Sequence, residues 1–346
     1  MMKKFKLVSC LGIIALIVFM ICGNAPAKTV LRMNHQFPAA AAGSKIDQWF
    51  VDEVKKATGG EIEIQIFWSN ALGAAKENLT LLGAGAIDAA GMSAGYFPAQ
   101  LPFFAAPNSL PMAMDNICQS SALMKAFMEK IPAFQEEAKR NKVVPIFFHL
   151  LNPYQLVTRE PVNKLDDLKG KKIRTWGEDM PRLVKAAGGT PVTIFLPELY
   201  ENLQRGVIDG CPFSVDFIQT YKIYEVAKYV TEVVMWEGPA WGVWFSQKSW
   251  DKLSAKHQQI IMDVAERARK LELTKTAEAG IAARKFLKAK GVQFSPFPAA
   301  ELAKWQKANP DFYGDWIKKM EKQGKGAAAK QTVELWKDIR NWVNCP

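Results

Sequence analysis

Twice along this chain of 346 residues the spacing of apolar residues switches from a period of two to a period near 3.6 and back, and this alternation of strand with helix constrains the fold more than any other feature. Thr29 to His35 alternates as a strand through Val30, Leu31 and Met33. Ser44 then precedes an amphipathic helix with Ile46, Trp49, Phe50 and Val54 on one face, closed by Gly59-Gly60. A strand over Glu61 to Phe67, a helix over roughly Ala74 to Gly83 and a short apolar segment, Ala86 to Met92, complete a first unit. The same order restarts after Asn141. Strands are predicted at Val143 to His149 and Lys171 to Thr175, a helix over Met180 to Ala187 ended by Gly188-Gly189, a strand near Pro191 to Phe195 and a helix near Pro197 to Arg205. The fold class is therefore α/β with parallel-type sheets, and two such units predict two lobes with a cleft between them. Ligands of open α/β sheets gather at the carboxyl ends of strands, so residues there are the candidates for function. From Ser254 to Lys290 no proline interrupts, and Leu253, Ile260, Ile261, Val264, Ala268 and Leu271 keep helical register. At about 1.5 Å per residue such a helix reaches across both lobes. Residues 321–331 read as a weakly structured surface turn before a last helix through Val333, Leu335, Trp336 and Ile339.

The N-terminus sets the expected compartment. Met1 to Lys6 holds three lysines and no acid, Leu7 to about Cys22 is almost wholly apolar, and Ala25-Pro26-Ala27 offers the small residues a signal peptidase reads. Residues 1–27 are thus expected to be a cleavable signal peptide that sends the chain to the periplasm. No lipid anchor is expected, because Leu7-Val8-Ser9-Cys10 precedes the apolar run and Ile21 before Cys22 is bulky. Cleavage leaves 319 residues with a net charge of +8, and Cys118, Cys211 and Cys345 permit at most one disulfide. With 49% hydrophobic and 23% charged residues the composition is that of an ordinary globular protein. A single apolar stretch excludes a multi-span membrane protein, and basic residues interspersed with acids, without a Lys/Arg block, exclude a nucleic-acid partner.

Catalytic patterns are missing. His35, His149 and His257 stand in no metal-ligand spacing, no Gly-x-Ser-x-Gly elbow occurs, and Gly83-Ala84-Gly85 lacks the third glycine of a dinucleotide fingerprint. No enzyme activity, metal or cofactor is predicted. A binding function fits better: in Lys171-Lys172-Ile173-Arg174-Thr175 the alternation that buries Ile173 turns Arg174 to the opposite face, where a guanidinium can grip a carboxylate or sulfonate through two parallel bonds.

Four ordered segments resemble the solute-binding proteins of tripartite ATP-independent periplasmic (TRAP) transporters, the DctP family. They are Lys55-Lys56-Ala57-Thr58-Gly59-Gly60 with Asn70-Ala71-Leu72-Gly73 after it; Leu82-Gly83-Ala84-Gly85-Ala86-Ile87-Asp88; Pro161-Val162 followed by Leu165-Asp166-Asp167-Leu168-Lys169-Gly170-Lys171-Lys172-Ile173-Arg174; and Glu198-Leu199-Tyr200 followed by Leu203-Gln204 and Gly206-Val207-Ile208-Asp209-Gly210. The resemblance covers essentially all of residues 30–345 and implies a two-lobed periplasmic binding protein fold of class II type with a long helix spanning both lobes. On that basis lobe I comprises 28–151 plus about 239–280, and lobe II 152–238 plus about 281–346. It also implies a receptor that closes on a small organic anion and passes it to small and large integral membrane subunits for sodium-gradient-driven uptake; the receptor is expected to be a monomer. By position, Arg174 corresponds to the arginine that pairs with the ligand's acid group.

Departures from the family pattern point to the substrate. Cys211-Pro212-Phe213-Ser214 stands where the family has Gln-Glu-Asn-Pro, so Phe213 replaces an asparagine that helps bind ligand. Tyr154 stands at or near the position of a second arginine found in acidic-sugar binders, and Arg159 falls too far along to substitute. Trp176, Trp236 and Glu237 add to the expected site, with His35 and Ser93 at strand ends. Losing a cation and an amide while gaining aromatic faces favours one carboxylate or sulfonate head with a compact or apolar remainder: a hydroxy- or oxo-acid, a hydroxyalkane sulfonate or an aromatic acid. A C4-dicarboxylate binder, a ligand-presenting sensor subunit for a membrane histidine kinase, and a periplasmic enzyme are the alternatives.

Overall fold

In the computed structural model, residues 28–345 are described, and the expected signal peptide lies outside them. Alternation in the first unit builds β1 (Thr29–His35), which buries Leu31 and Met33 and pairs in parallel with β2 (Ile62–Phe67) and β3 (Ala89–Met92). β4 (Val143–Leu150) lies at the far edge of this sheet, joined to β3 by a late strand, β10 (Pro239–Ser246), that runs antiparallel to both. The second sheet holds β5 (Tyr154–Thr158), β6 (Lys172–Thr175), β7 (Thr190–Thr193), β8 (Gly210–Phe213), β9 (Tyr229–Trp236) and β11 (Gln293–Pro296), in the order β11-β9-β5-β8-β6-β7. The class is α/β with two sheets, as expected.

The chain passes between the sheets at residues 151–153 and again at 237–238. Gly238 is required at the second crossing, since a Cβ there would stand 2.5 Å from the Pro107 carbonyl oxygen. The proline-free run forms one helix, Ala255–Ala289, capped by the Ser254 side chain, and it packs on the helix Ala42–Ala57 and β4 of one unit and on Val215–Thr220 of the other.

Several local expectations are corrected. The first helix begins at Ala42, so Ser44 lies inside it, buried. The helix over Ala74 to Gly83 divides into a 3₁₀ turn, Ala75–Glu77, and a helix, Asn78–Ala84. Residues 326–331 are helical, because the last helix starts at Gly326 and buries Ala329. Helices Pro102–Ser109, Ile117–Lys130 and Pro132–Arg140 were not anticipated; prolines at 102, 107 and 132 obscure their start and continuity. The division at residue 281 also changes. Trp305 sits in the core of the second sheet, but Trp316, Met320, Val333 and Trp336 pack with Phe103, Phe127 and Trp244 of the first. Helices Phe312–Glu321 and Gly326–Trp342 therefore belong to lobe I. A disulfide between Cys118 and Cys345, Cα atoms 5.4 Å apart, fastens the end of the chain to the same lobe. Cys211 is free, and burial pushes its thiol up to about 12.

Candidate functional site

β6 buries Ile173 in the core of the second sheet, and the next residue, Arg174, only 4% exposed, emerges towards the carboxyl end of the strand. Its Nε donates to the Ile194 carbonyl at 3.1 Å, and its guanidinium carbon stands 4.6 Å from the centre of the Trp176 ring. Its Nη donors meet no acceptor among the described residues, and no carboxylate there forms an ion pair with it. A desolvated cation without a counter-charge is costly, several kcal/mol by order of magnitude, and two free parallel donors suit a bidentate acid.

Around the guanidinium lies a small cavity of about 30 Å³. Tyr154, Trp176, Leu196 and Trp236 wall it from the second lobe, and Phe37, Ser93, Tyr96 and Asn108 from the first. Tyr154 and Trp236 are cross-strand partners at the start of β5 and end of β9, with ring centres 5.0 Å apart. Burial raises the Tyr154 phenol well above its ordinary range, and its hydroxyl has no hydrogen-bond partner among the described residues. The Trp236 Nε1 donor is also buried without an acceptor. Trp176 instead crosses the cleft, its Nε1 donating to the Asn108 carbonyl at 3.1 Å. Asn108 in turn donates twice through Nδ2, to the carbonyls of Pro239 and Ala240 at 2.7 Å, and accepts from the Gly95 N–H. Only glycine fits at 95, since a Cβ there would stand 2.0 Å from Asn108 Oδ1.

Of the residues singled out from sequence, Arg174, Tyr154, Trp176, Trp236 and Ser93 line this cavity. Ser93 is already engaged: its Oγ donates to the Ala240 carbonyl and accepts from Gln36 Nε2. Three others do not line it. Phe213 is buried beyond Tyr154, ring centres 5.7 Å apart, and packs on Phe217. Glu237 is buried and accepts from Ser120 Oγ at 2.6 Å; burial raises its carboxyl well above the usual range. His35 is an interior residue, its Nδ1 accepting from the Phe37 N–H and its Nε2 2.7 Å from Asp47. Arg159 lies at the opposite end of β5, beside Lys171 and Asp209. Tyr96 and Asn108 were missed. Tyr96 follows the end of β3 by four residues, where a strand-end search could have reached it, and Asn108, with Ser109 after it, interrupts the apolar run from Phe103 to Leu110. Among the described residues no group of acidic, histidine or cysteine side chains could hold a metal ion.

Residues 35–319 match the family described as bacterial extracellular solute-binding protein, family 7, or DctP. A solute-binding protein of Chromohalobacter salexigens is 27% identical over 297 residues, covering 82% of this chain and 84% of its own. The fold is shared with an extracytoplasmic solute receptor of Bordetella pertussis binding pyroglutamic acid, at TM-score 0.81 and 22% identity over 89% of this chain and 99% of that one. It is also shared with a TRAP periplasmic solute-binding protein of a Sulfitobacter species with bound β-D-galacturonate, at TM-score 0.78 and 21% identity over 90% and 100%. These relatives are solute-binding proteins of transporters and not enzymes. The two-lobed fold, the match across most of the chain and a cleft walled from both lobes lead to one assignment: the chain belongs to the DctP family of TRAP solute-binding proteins.

Proposed function

We propose that this protein is the periplasmic receptor of a TRAP transporter that captures a small organic anion with a single carboxylate or sulfonate head and presents it to small and large integral membrane subunits. The observation that carries this reading is Arg174, a buried guanidinium whose Nη donors are unpaired and face a cavity built from both lobes. The remaining free donors, on Tyr154 and Trp236, sit on aromatic walls and would serve a hydroxy, oxo or ring substituent. The aromatic and apolar walls, Phe37, Tyr154, Trp176, Leu196 and Trp236, favour a compact acid with few polar groups over a sugar acid. A second acid group would find no second cation and would lose roughly 1–3 kcal/mol as an unpaired buried polar group.

The test is a thermal-melt and calorimetric panel of monocarboxylates, sulfonates, dicarboxylates, sugar acids and aromatic acids on the mature chain. Single-headed acids are expected to stabilise it, by about 2.7 kcal/mol at a hundredfold excess over Kd. Arg174→Ala is expected to lose about 2–5 kcal/mol of binding, the cost of removing one partner of a desolvated charge pair. Unchanged affinity in that variant refutes the anchor; a preference for dicarboxylates or sugar acids refutes the substrate class.

A further inference from the structure

Phe195 is left 40% exposed next to a cleft whose other aromatic walls are largely buried, and it does not line the cavity. Its ring stands edge-on to Tyr96 of the opposite lobe, with centres 5.3 Å apart and planes at 81°. The Tyr96 hydroxyl faces the backbone of Leu196, the next residue, which does line the cavity. The loop carrying Phe195 is set from its own lobe: Arg174 Nε donates to the Ile194 carbonyl at 3.1 Å, and the Ile194 N–H donates to the Thr175 carbonyl at 3.3 Å. Contacts within one lobe survive separation of the lobes. A contact from Phe195 to Tyr96 does not, so it contributes only to the shut state, and only such differential contacts shift a closing equilibrium.

We propose that Phe195 is a closure clasp, a positioning residue that holds the cleft shut on its ligand without touching it, its loop aimed at Tyr96 by the arginine that binds the acid. The inference rests on the receptor reading above. An edge-to-face aromatic pair made only on closure favours the shut form by about 2- to 12-fold. Because the pair forms after the ligand has entered, its loss shows in release and not in capture.

Stopped-flow binding of pyroglutamate, lactate, benzoate and isethionate tests it. For each acid that binds, Phe195→Ala is expected to raise the dissociation rate about 2- to 12-fold, with the association rate and the melting temperature of the unliganded protein unchanged. Phe195→Tyr, which keeps the ring, restores slow release, and Phe195→Ala has no further effect on release in a Tyr96→Leu background. An unaltered dissociation rate in Phe195→Ala, or a loss that falls on association, overturns the clasp; binding abolished by Arg174→Ala in the same experiment leaves the receptor reading intact. A wild-type chain that binds none of the four acids overturns the receptor reading and the clasp together.

Discussion

Trp176 does two things with one side chain: its ring covers the Arg174 guanidinium and its Nε1 reaches the Asn108 carbonyl of the other lobe. Trp176→Phe separates them, keeping an aromatic face and deleting the donor. Calorimetry is expected to show acid affinity falling by about 0.5–1.5 kcal/mol, the net worth of a hydrogen bond, with the unliganded melt unchanged; a loss as large as that of Arg174→Ala would refute a role limited to one hydrogen bond. Glu237 carries a different expectation. Burial holds its carboxyl in the neutral form, so folding binds a proton that the unfolded chain has released above its ordinary carboxylate pKa. Its contribution is therefore most favourable in acid and declines as pH rises from that value towards the raised folded one. Glu237→Gln, of the same shape and never ionised, is expected to match the wild type at pH 5 and to exceed it in stability at pH 8. Urea unfolding at the two pH values checks this, and equal destabilisation at both would refute it. At this scale the sequence was readable where a side chain has one outlet, as for Arg174 beside buried Ile173. It was not readable for Phe213 and His35, whose burial depends on neighbours distant in the chain, Tyr154 for the one and Asp47 for the other.

Between elements, a buried relay joins β1, the helix Ala42–Ala57, β4 and the long helix. Asp47 lies 2.7 Å from His35 Nε2 and 2.8 Å from His149 Nε2, and His149 Nδ1 lies 2.7 Å from Glu272. Burial by itself would depress the His149 pKa, but Asp47 and Glu272 outweigh it and raise the imidazole to about 10; burial would likewise raise the Asp47 carboxyl, but His149 and His35 outweigh it and bring it down to about 2. A histidine with a raised folded pKa stabilises fully below its unfolded value, about 6.5, and loses that contribution as pH rises to about 10. The slope is at most about 1.4 kcal/mol per pH unit. Urea melts of the wild type from pH 6.5 to 10 are expected to show this decline. His149→Gln is expected to cost about 3–5 kcal/mol at pH 6.5, since it removes the cation between two buried carboxylates, Asp47 and Glu272, and to remove most of the slope. A wild-type profile flat over that range would refute the charged imidazole. The elements themselves were legible where apolar periodicity is long, as in Ala255–Ala289, or strictly alternating, as in β1 and β2. The helices from Pro102 to Arg140 were not: Pro102–Ser109 is buried on all sides and leaves no period to detect, and a proline obscures the start of Pro132–Arg140.

In the whole molecule, the last two helices return to lobe I and the Cys118–Cys345 bond closes a span of 227 residues. Reduction is expected to cost about 2–4 kcal/mol and to lower the melting temperature by a few degrees, while acid binding in the cleft persists. A reduced chain that no longer binds would show the bond to be needed for closure. The sequence alone determined the class, two α/β units, the helix that spans them and the placing of Arg174 on the face of its strand opposite Ile173, because strand and helix periods and a strand's two faces are local properties set by neighbours within a few residues. Tertiary structure alone decided which lobe receives the C-terminal helices, which two of three cysteines pair, and which aromatic side chains reach the cavity. Each of those depends on surfaces brought together across hundreds of residues, where one ring that screens another, as Tyr154 screens Phe213, settles which of them a ligand can meet.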